Sequence, residues 1–113
     1  MTITSVVLRR RVADLGPALD FYVRLTGQPA TRFTLAGLDL ASVGPFLLFS
    51  GPDGIAEGFA GVAASLTVAD LDAAVTACAA AGGEVIDAPA VTPNGKRAVV
   101  RHPDGAVYEY LGG

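Results

Sequence analysis

Few side chains in this sequence are equipped for chemistry. Its 113 residues include one cysteine, Cys78, and one histidine, His102. A basic run, Arg9-Arg10-Arg11, stands near the start, and Pro103-Asp104-Gly105-x-x-x-Glu109 sets a carboxylate close to the end. A nucleophilic thiol needs a base beside it. Cys78 has no histidine near it in the sequence pattern and falls on the apolar face of a predicted helix, where a buried structural thiol is expected. Three arginines in an extended strand point to alternating faces, so they cannot form one patch of three guanidinium groups. A local role follows rather than nucleic-acid binding, in line with the net charge of −3. The stretch from Gly51 to Gly61 has the composition of a phosphate cradle. It lacks the Lys-Ser/Thr ending and the strand-to-helix placement of one, so it reads as a flexible linker or lid.

The elements that must position these residues come in two copies. Val12-Ala13-Asp14-Leu15 recurs unchanged as Val68-Ala69-Asp70-Leu71, and the same offset superimposes Gly27 on Gly83 and Tyr22 on Cys78. In the first copy a strand over 3–12 leads to Asp14 as N-cap and a helix over 15–26, with Leu15, Ala18, Leu19, Tyr22 and Leu25 on one face and Gly27 as its stop. Strands over 30–35, 38–43 and 46–50 follow. In the second copy a strand over 62–68 precedes Asp70 as N-cap and a helix carrying Leu71, Ala74, Val75, Cys78 and Ala81. Strands over 84–91, 97–102 and 106–111 complete it. Three consecutive strands after each helix require antiparallel hairpins, so the fold class is α+β, two βαβββ modules sharing one core. Module one spans 1–50, the linker 51–60 and module two 61–113. With 51% apolar residues and a single cysteine the chain is globular and without an internal disulfide. No leader or membrane-spanning stretch is visible, and a soluble cytoplasmic protein is expected.

A strand, Val-x-Asp-Leu and a helix with Phe21-Tyr22 and Gly27, all repeated once and closed by Pro103-Asp104-Gly105-x-x-x-Glu109, resemble the vicinal oxygen chelate superfamily. That group includes glyoxalase I, bleomycin-resistance proteins and extradiol dioxygenases. The resemblance covers nearly the whole chain. It implies that each module curls into half of an open barrel, that two modules enclose a cavity, and that small members dimerise to complete it. Metal-dependent members carry His or Gln on the first strand of each module and Glu on the last. Transferred by position, the first-strand sites are Val7 and Ala63, seven residues before Asp14 and Asp70, and the last-strand sites are Leu48 and Glu109. Only Glu109 can bind a metal, and a catalytic ion needs about three protein ligands with an open position. No metal and no cofactor are therefore expected. His102, where many members have Asp, is expected as a solvated turn residue at the sheet end, away from Glu109.

Under the family's inward parity, Val7, Arg9 and Arg11 face the cavity from the first strand, and Ala63, Ser65 and Thr67 from the fifth. Glu109 joins them, while Tyr108 and Tyr110 face the other side. Arg10 is sent towards the helix layer, where an aliphatic residue is usual. Phe21, Phe33, Phe46 and Phe49 read either as an aromatic pocket or as plain core. The arginines are read either as ligand contacts or as rim residues paired structurally with Glu109. The resulting expectation is a metal-independent small-molecule-binding homodimer of the glyoxalase/bleomycin-resistance type. Its ligand is a small organic molecule contacted by Arg9, Arg11, Ser65, Thr67, Glu109, Val7, Leu48 and Ala63; neither nucleic acid nor membrane is a partner. The alternative is a lyase, isomerase or dioxygenase using Glu109 as acid/base or metal ligand. A third reading, a partner-binding subunit, is favoured if the cavity is filled by the chain's own side chains.

Overall fold

The computed structural model describes residues 2–113. In chain order the elements are β1 (Ile3–Arg11), α1 (Leu15–Thr26), β2 (Ala30–Leu35), β3 (Leu38–Val43), β4 (Phe46–Ser50), α2 (Asp53–Ala60), β5 (Ala64–Val68), α3 (Leu71–Ala80), β6 (Glu84–Thr92), β7 (Gly95–Arg101) and β8 (Val107–Gly112). The α+β class and the paired βαβββ order are as the sequence implies. The chain forms two compact units: Val7–Gly61, and Val62–Gly113 together with the start of β1 through Val6.

In the first unit the strand order is β2-β3-β4-β1. β2, β3 and β4 are antiparallel, and β4 runs parallel to β1 with Arg9 opposite Leu47, Arg10 opposite Leu48 and Arg11 opposite Phe49. Asp14 caps α1, its carboxylate accepting from the Gly16 N–H at 3.2 Å. Gly27 ends the helix in the left-handed region at φ 66°, its N–H bonded to the Val23 carbonyl. Leu15 and Leu19 on α1 bury one sheet face together with Ala41, Val43 and Leu48.

The other face of this sheet carries an element absent from the sequence reading. The segment expected as a flexible linker holds α2 over eight residues. Gly54 and Gly58 lower its intrinsic helix propensity. What fixes the helix is packing: Ala56 is fully buried with Leu38, Leu40 and Phe49, and the Phe59 ring meets Phe49 edge-on at 4.7 Å.

In the second unit the order is β5-β8-β7-β6. β5 is parallel to β8 with Ser65 opposite Glu109 and Leu66 opposite Tyr110; β8, β7 and β6 are antiparallel. Asp70 caps α3 through the Ala73 N–H. Leu71, Ala74 and Val75 pack on Leu66, Val68, Ala98, Val100 and Tyr110, which repeats the arrangement around α1. Gly112 lies so close to β5 that a Cβ there would collide with the Val68 carbonyl oxygen. Gly112→Ala is therefore expected to lower unfolding free energy by about 2–3 kcal/mol through overpacking against backbone. Urea unfolding would measure that loss, with Gly113→Ala as the neutral control.

Candidate functional site

In the first unit, strand register places Arg9, Arg11, Leu47 and Phe49 on the face covered by α2. The Arg9 guanidinium lies 3.9 Å from the centroid of the Phe59 ring and donates from Nη1 to the Phe59 carbonyl at 3.1 Å. Arg11 donates from Nη2 to Asp53 Oδ1 at 2.8 Å, at the start of α2. The two arginines thus clasp both ends of the helix that the sequence reading took for a linker. Beside this clasp, Arg11, Val12, Ala13, Gly51 and Asp53 line a pocket of about 450 Å³, within the usual range for small-molecule sites. Arg11 and Asp53 present a donor and an acceptor side by side there.

Leu48 is a correction. It is fully buried beneath α1 with Leu15 and Leu19, on the opposite sheet face from Arg9 and Arg11. In module one the register partner of Arg9 is Leu47, as Glu109 is the partner of Ser65 in module two. Counting from the turn glycine misses by one residue, which in a strand exchanges the two faces. Val7 is half-buried and shares the parity of Arg9, while Arg10 is exposed. Of the phenylalanines, Phe46 and Phe49 belong to the core, whereas Phe21 and Phe33 are exposed, so the four line no common aromatic pocket.

In the second unit Ser65 and Glu109 meet as the sequence parity implies. Ser65 Oγ donates to Glu109 Oε1 at 2.7 Å, and Arg97 Nε donates to Oε2. Arg97 also stands 3.8 Å from Asp87. Arg97 was missed by the sequence reading; its signal was the antiparallel β7/β8 hairpin, which returns a strand beside Glu109. The carboxylate thus accepts from a guanidinium and a hydroxyl at once, which fixes its orientation. Thr67 is half-buried on the same face as Ser65, and its carbonyl accepts from Thr4 Oγ1. Ala63 is exposed and precedes β5, its N–H bonded to the Val107 carbonyl.

The donor set does not fit a resident divalent metal. Val7, Leu47 and Ala63 are hydrocarbons, Glu109 is engaged by Ser65 and Arg97, and no cluster of three or more His, Cys, Asp or Glu occurs among the described residues.

His102 is a second correction. Instead of a solvated turn residue, it is half-buried, with Nε2 at 2.7 Å from the Tyr110 hydroxyl and its ring stacked on Tyr108 at 4.2 Å. Residues 102, 108 and 110 share the helix-side parity, and that alternation was the available signal. Cys78 Sγ meets the same Tyr110 hydroxyl at 3.3 Å. Burial pushes the Tyr110 phenol well above the ordinary tyrosine range, and the bond to Cys78 adds to the shift. Lys96 is also raised, by its hydrogen bond to and attraction from Asp72. Both folded-state values lie above the unfolded ones, so both contributions are fully present below about pH 10 and lost as pH rises through the folded values. Thermal unfolding is expected to show Tm falling above pH 10. Tyr110→Phe should flatten most of that limb and Asp72→Asn a smaller part.

The geometry defines an α+β fold of two βαβββ modules, with Arg9 and Arg11 bonded to α2 in the first unit and Ser65, Arg97 and Glu109 joined in the second. Residues 3–110 match the model of the Glyoxalase/Bleomycin resistance protein/Dioxygenase superfamily, and the chain belongs to that family. A solved structure of an uncharacterized protein from Methanosarcina mazei is 37% identical, with TM-score 0.83 over 99% of this chain and 94% of that one. Two methylmalonyl-CoA epimerases share the fold. That from Mycobacterium tuberculosis is 17% identical, with TM-score 0.67 over 97% of this chain and 88% of its own. A second is 16% identical, with TM-score 0.71 over 99% and 97%. No curated protein matches the chain. No helix among the described residues is long and apolar enough to cross a membrane.

Proposed function

We propose that this protein binds a small organic molecule without a metal, in the pocket beside Arg11 and Asp53. The observation that carries this reading is the pocket itself: about 450 Å³ with a guanidinium and a carboxylate set next to each other in its wall. A ligand suited to it has one group that accepts from Arg11 and one that donates to Asp53, on a compact carbon skeleton that meets Val12 and Ala13. Sequestration in the manner of a bleomycin-resistance protein needs such a pocket and no metal. The membership of the family and the hydrocarbon side chains at Val7, Leu47 and Ala63 support the same reading.

The test is a thermal-shift screen of chelator-treated protein. Nickel, manganese, zinc and ferrous iron are added in turn, followed by a library of compact organic acids, amides and amino-acid-like compounds. The expected result is no saturable metal shift and at least one saturable organic ligand. Arg11→Ala should weaken that ligand about tenfold or more, the loss of one charge-assisted hydrogen bond. Unchanged affinity in both Arg9→Ala and Arg11→Ala removes the assignment, and a metal shift abolished by Glu109→Ala restores a metalloprotein.

The second reading is an enzyme that uses Glu109 as acid or base, favoured by the Ser65 and Arg97 bonds that orient its carboxylate and by the structural likeness to methylmalonyl-CoA epimerases. Activity on any screened ligand that disappears in Glu109→Gln selects it. A homodimer belongs to either reading: Ile3, Val6 and Leu8 on β1 and Phe21 and Leu25 on α1 leave large apolar side chains exposed. Light scattering at twice the chain mass is the expected result.

A further inference from the structure

The helix-covered side of the second unit holds three proton-active groups that the proposed function does not use. Cys78 lies in the last turn of α3, His102 directly after β7, and Tyr110 in β8, fully buried between them. Cys78, His102 and Tyr110 line a pocket of about 180 Å³, completed by Ala81, Gly83 and Pro103. The wall is hydrocarbon and backbone apart from those three side chains. The pocket therefore suits a compact, uncharged molecule.

The hydrogen bonds order the three groups in series. With its proton on Nδ1, His102 offers Nε2 as an acceptor to the Tyr110 hydroxyl at 2.7 Å, which frees the Tyr110 oxygen to accept from the Cys78 thiol at 3.3 Å. Each position is fixed by backbone. The Gly83 N–H bonds the Cys78 carbonyl at 2.8 Å, and the His102 N–H and carbonyl bond Ala106 and Gly105 across the tight turn. The chain thus has the direction of a proton relay, from sulfur to phenol oxygen to imidazole.

We infer that Cys78, Tyr110 and His102 form a nucleophilic site for small α,β-unsaturated carbonyl compounds, with His102 as the proton acceptor acting through Tyr110. The thiol proton passes to the Tyr110 oxygen as the Tyr110 proton passes to His102 Nε2. The thiolate then forms a carbon–sulfur bond to the β-carbon of the alkene. The π pair moves to the carbonyl oxygen as an enolate, and the α-carbon takes a proton back from the imidazolium by way of the same hydroxyl or solvent. The product is a thioether, with no leaving group and no change of redox state. The neutral tyrosine that such a relay needs is the form that burial favours here. The other charged groups of the elements packed on α3 are engaged with one another: Lys96 with Asp72, Arg101 with Glu84, and Arg97 with Glu109 and Asp87. Tyr108 stacks on the His102 ring, and Asp104 accepts from the Ala106 N–H in the same turn. This site does not depend on the binding reading given above and stands or falls apart from it.

The experiment is alkylation of the intact protein by methyl vinyl ketone, followed by whole-protein mass from pH 6 to 9. The same protein in urea serves as the unstructured reference. Expected is a single adduct, absent in Cys78→Ser, forming about tenfold faster at pH 7 in the folded than in the unfolded protein. Its pH profile should differ from that of the same thiol in the unfolded protein. His102→Gln and His102→Asn should return both the rate and the pH profile to those of the unfolded reference, and Tyr110→Phe should do the same. A folded-protein rate at or below that in urea overturns the inference by itself, even if no variant folds. So does an unchanged rate and pH profile in either folded histidine variant.

Discussion

Replacing Phe49 by alanine is expected to lower unfolding free energy by about 3–5 kcal/mol, the usual cost of removing a buried aromatic ring from a packed core. Phe49 is fully buried and carries the edge-on contact to Phe59, with Leu40 and Ala56 filling its sides. The consequence is more than a cavity. α2 has glycines at 54 and 58 and no side-chain cap at Pro52, so it depends on this packing together with the Arg9 and Arg11 contacts at its two ends. Loss of Phe49 should release the segment, and with it the Asp53 carboxylate that completes the wall of the Arg11 pocket. Urea denaturation gives the stability loss. Limited proteolysis within 51–61 should show the segment cleaved while the remainder stays folded. Phe59→Ala, at a half-buried position, should cost about half as much. If proteolysis in Phe49→Ala stays as slow as in the parent, α2 is held by something other than this contact.

Glu109→Ala is expected to cost about 2–3 kcal/mol, below the full penalty of breaking a buried ion pair because the Arg97 side chain is 39% exposed. The Glu109 side chain is only 13% exposed, and its removal leaves the buried Ser65 hydroxyl and the Arg97 Nε to find new partners. Glu109→Gln keeps an acceptor for Ser65 and should cost about half as much, whereas Ser65→Ala alone should cost about 1 kcal/mol. A double-mutant cycle between Glu109 and Arg97 isolates the pair, and a coupling near zero would show that Glu109 is placed by the sheet alone. The same variants separate the two functional readings. A binding protein keeps its ligand in the Arg11 pocket when Glu109 becomes glutamine, and an enzyme that uses the carboxylate for proton transfer loses turnover.

Much of the architecture was legible in the sequence. Local signals with short range decided it: Asp14 and Asp70 as caps, Gly27 as a left-handed stop, and turn residues between alternating strands. The helix over 15–26 and the strands over 30–35, 38–43 and 46–50 stand where their patterns placed them. Parity within a strand likewise put Ser65 and Glu109 on one face and Tyr110 on the other. α2 escaped because its two glycines carry the composition of a linker, and long-range contacts with Phe49, Arg9 and Arg11 outweigh their propensity. Leu48 was assigned to the wrong face because a turn can shift a strand by one residue without leaving a mark in composition, while hydrogen-bonded register with β1 admits no such freedom.

The sequence by itself determined the family, the doubled βαβββ order, the caps and stops, and the hydrocarbon side chains at three of the four positions to which the resemblance points for a metal. Each of these depends on residue identity or on neighbours a few positions apart. Only the tertiary structure decided that Arg9 and Arg11 clasp α2, that Arg97 joins Glu109, and that Cys78 and His102 meet at one tyrosine hydroxyl. Those contacts join residues from 8 to 50 positions apart, and strand register and helix packing alone bring such residues within hydrogen-bond reach.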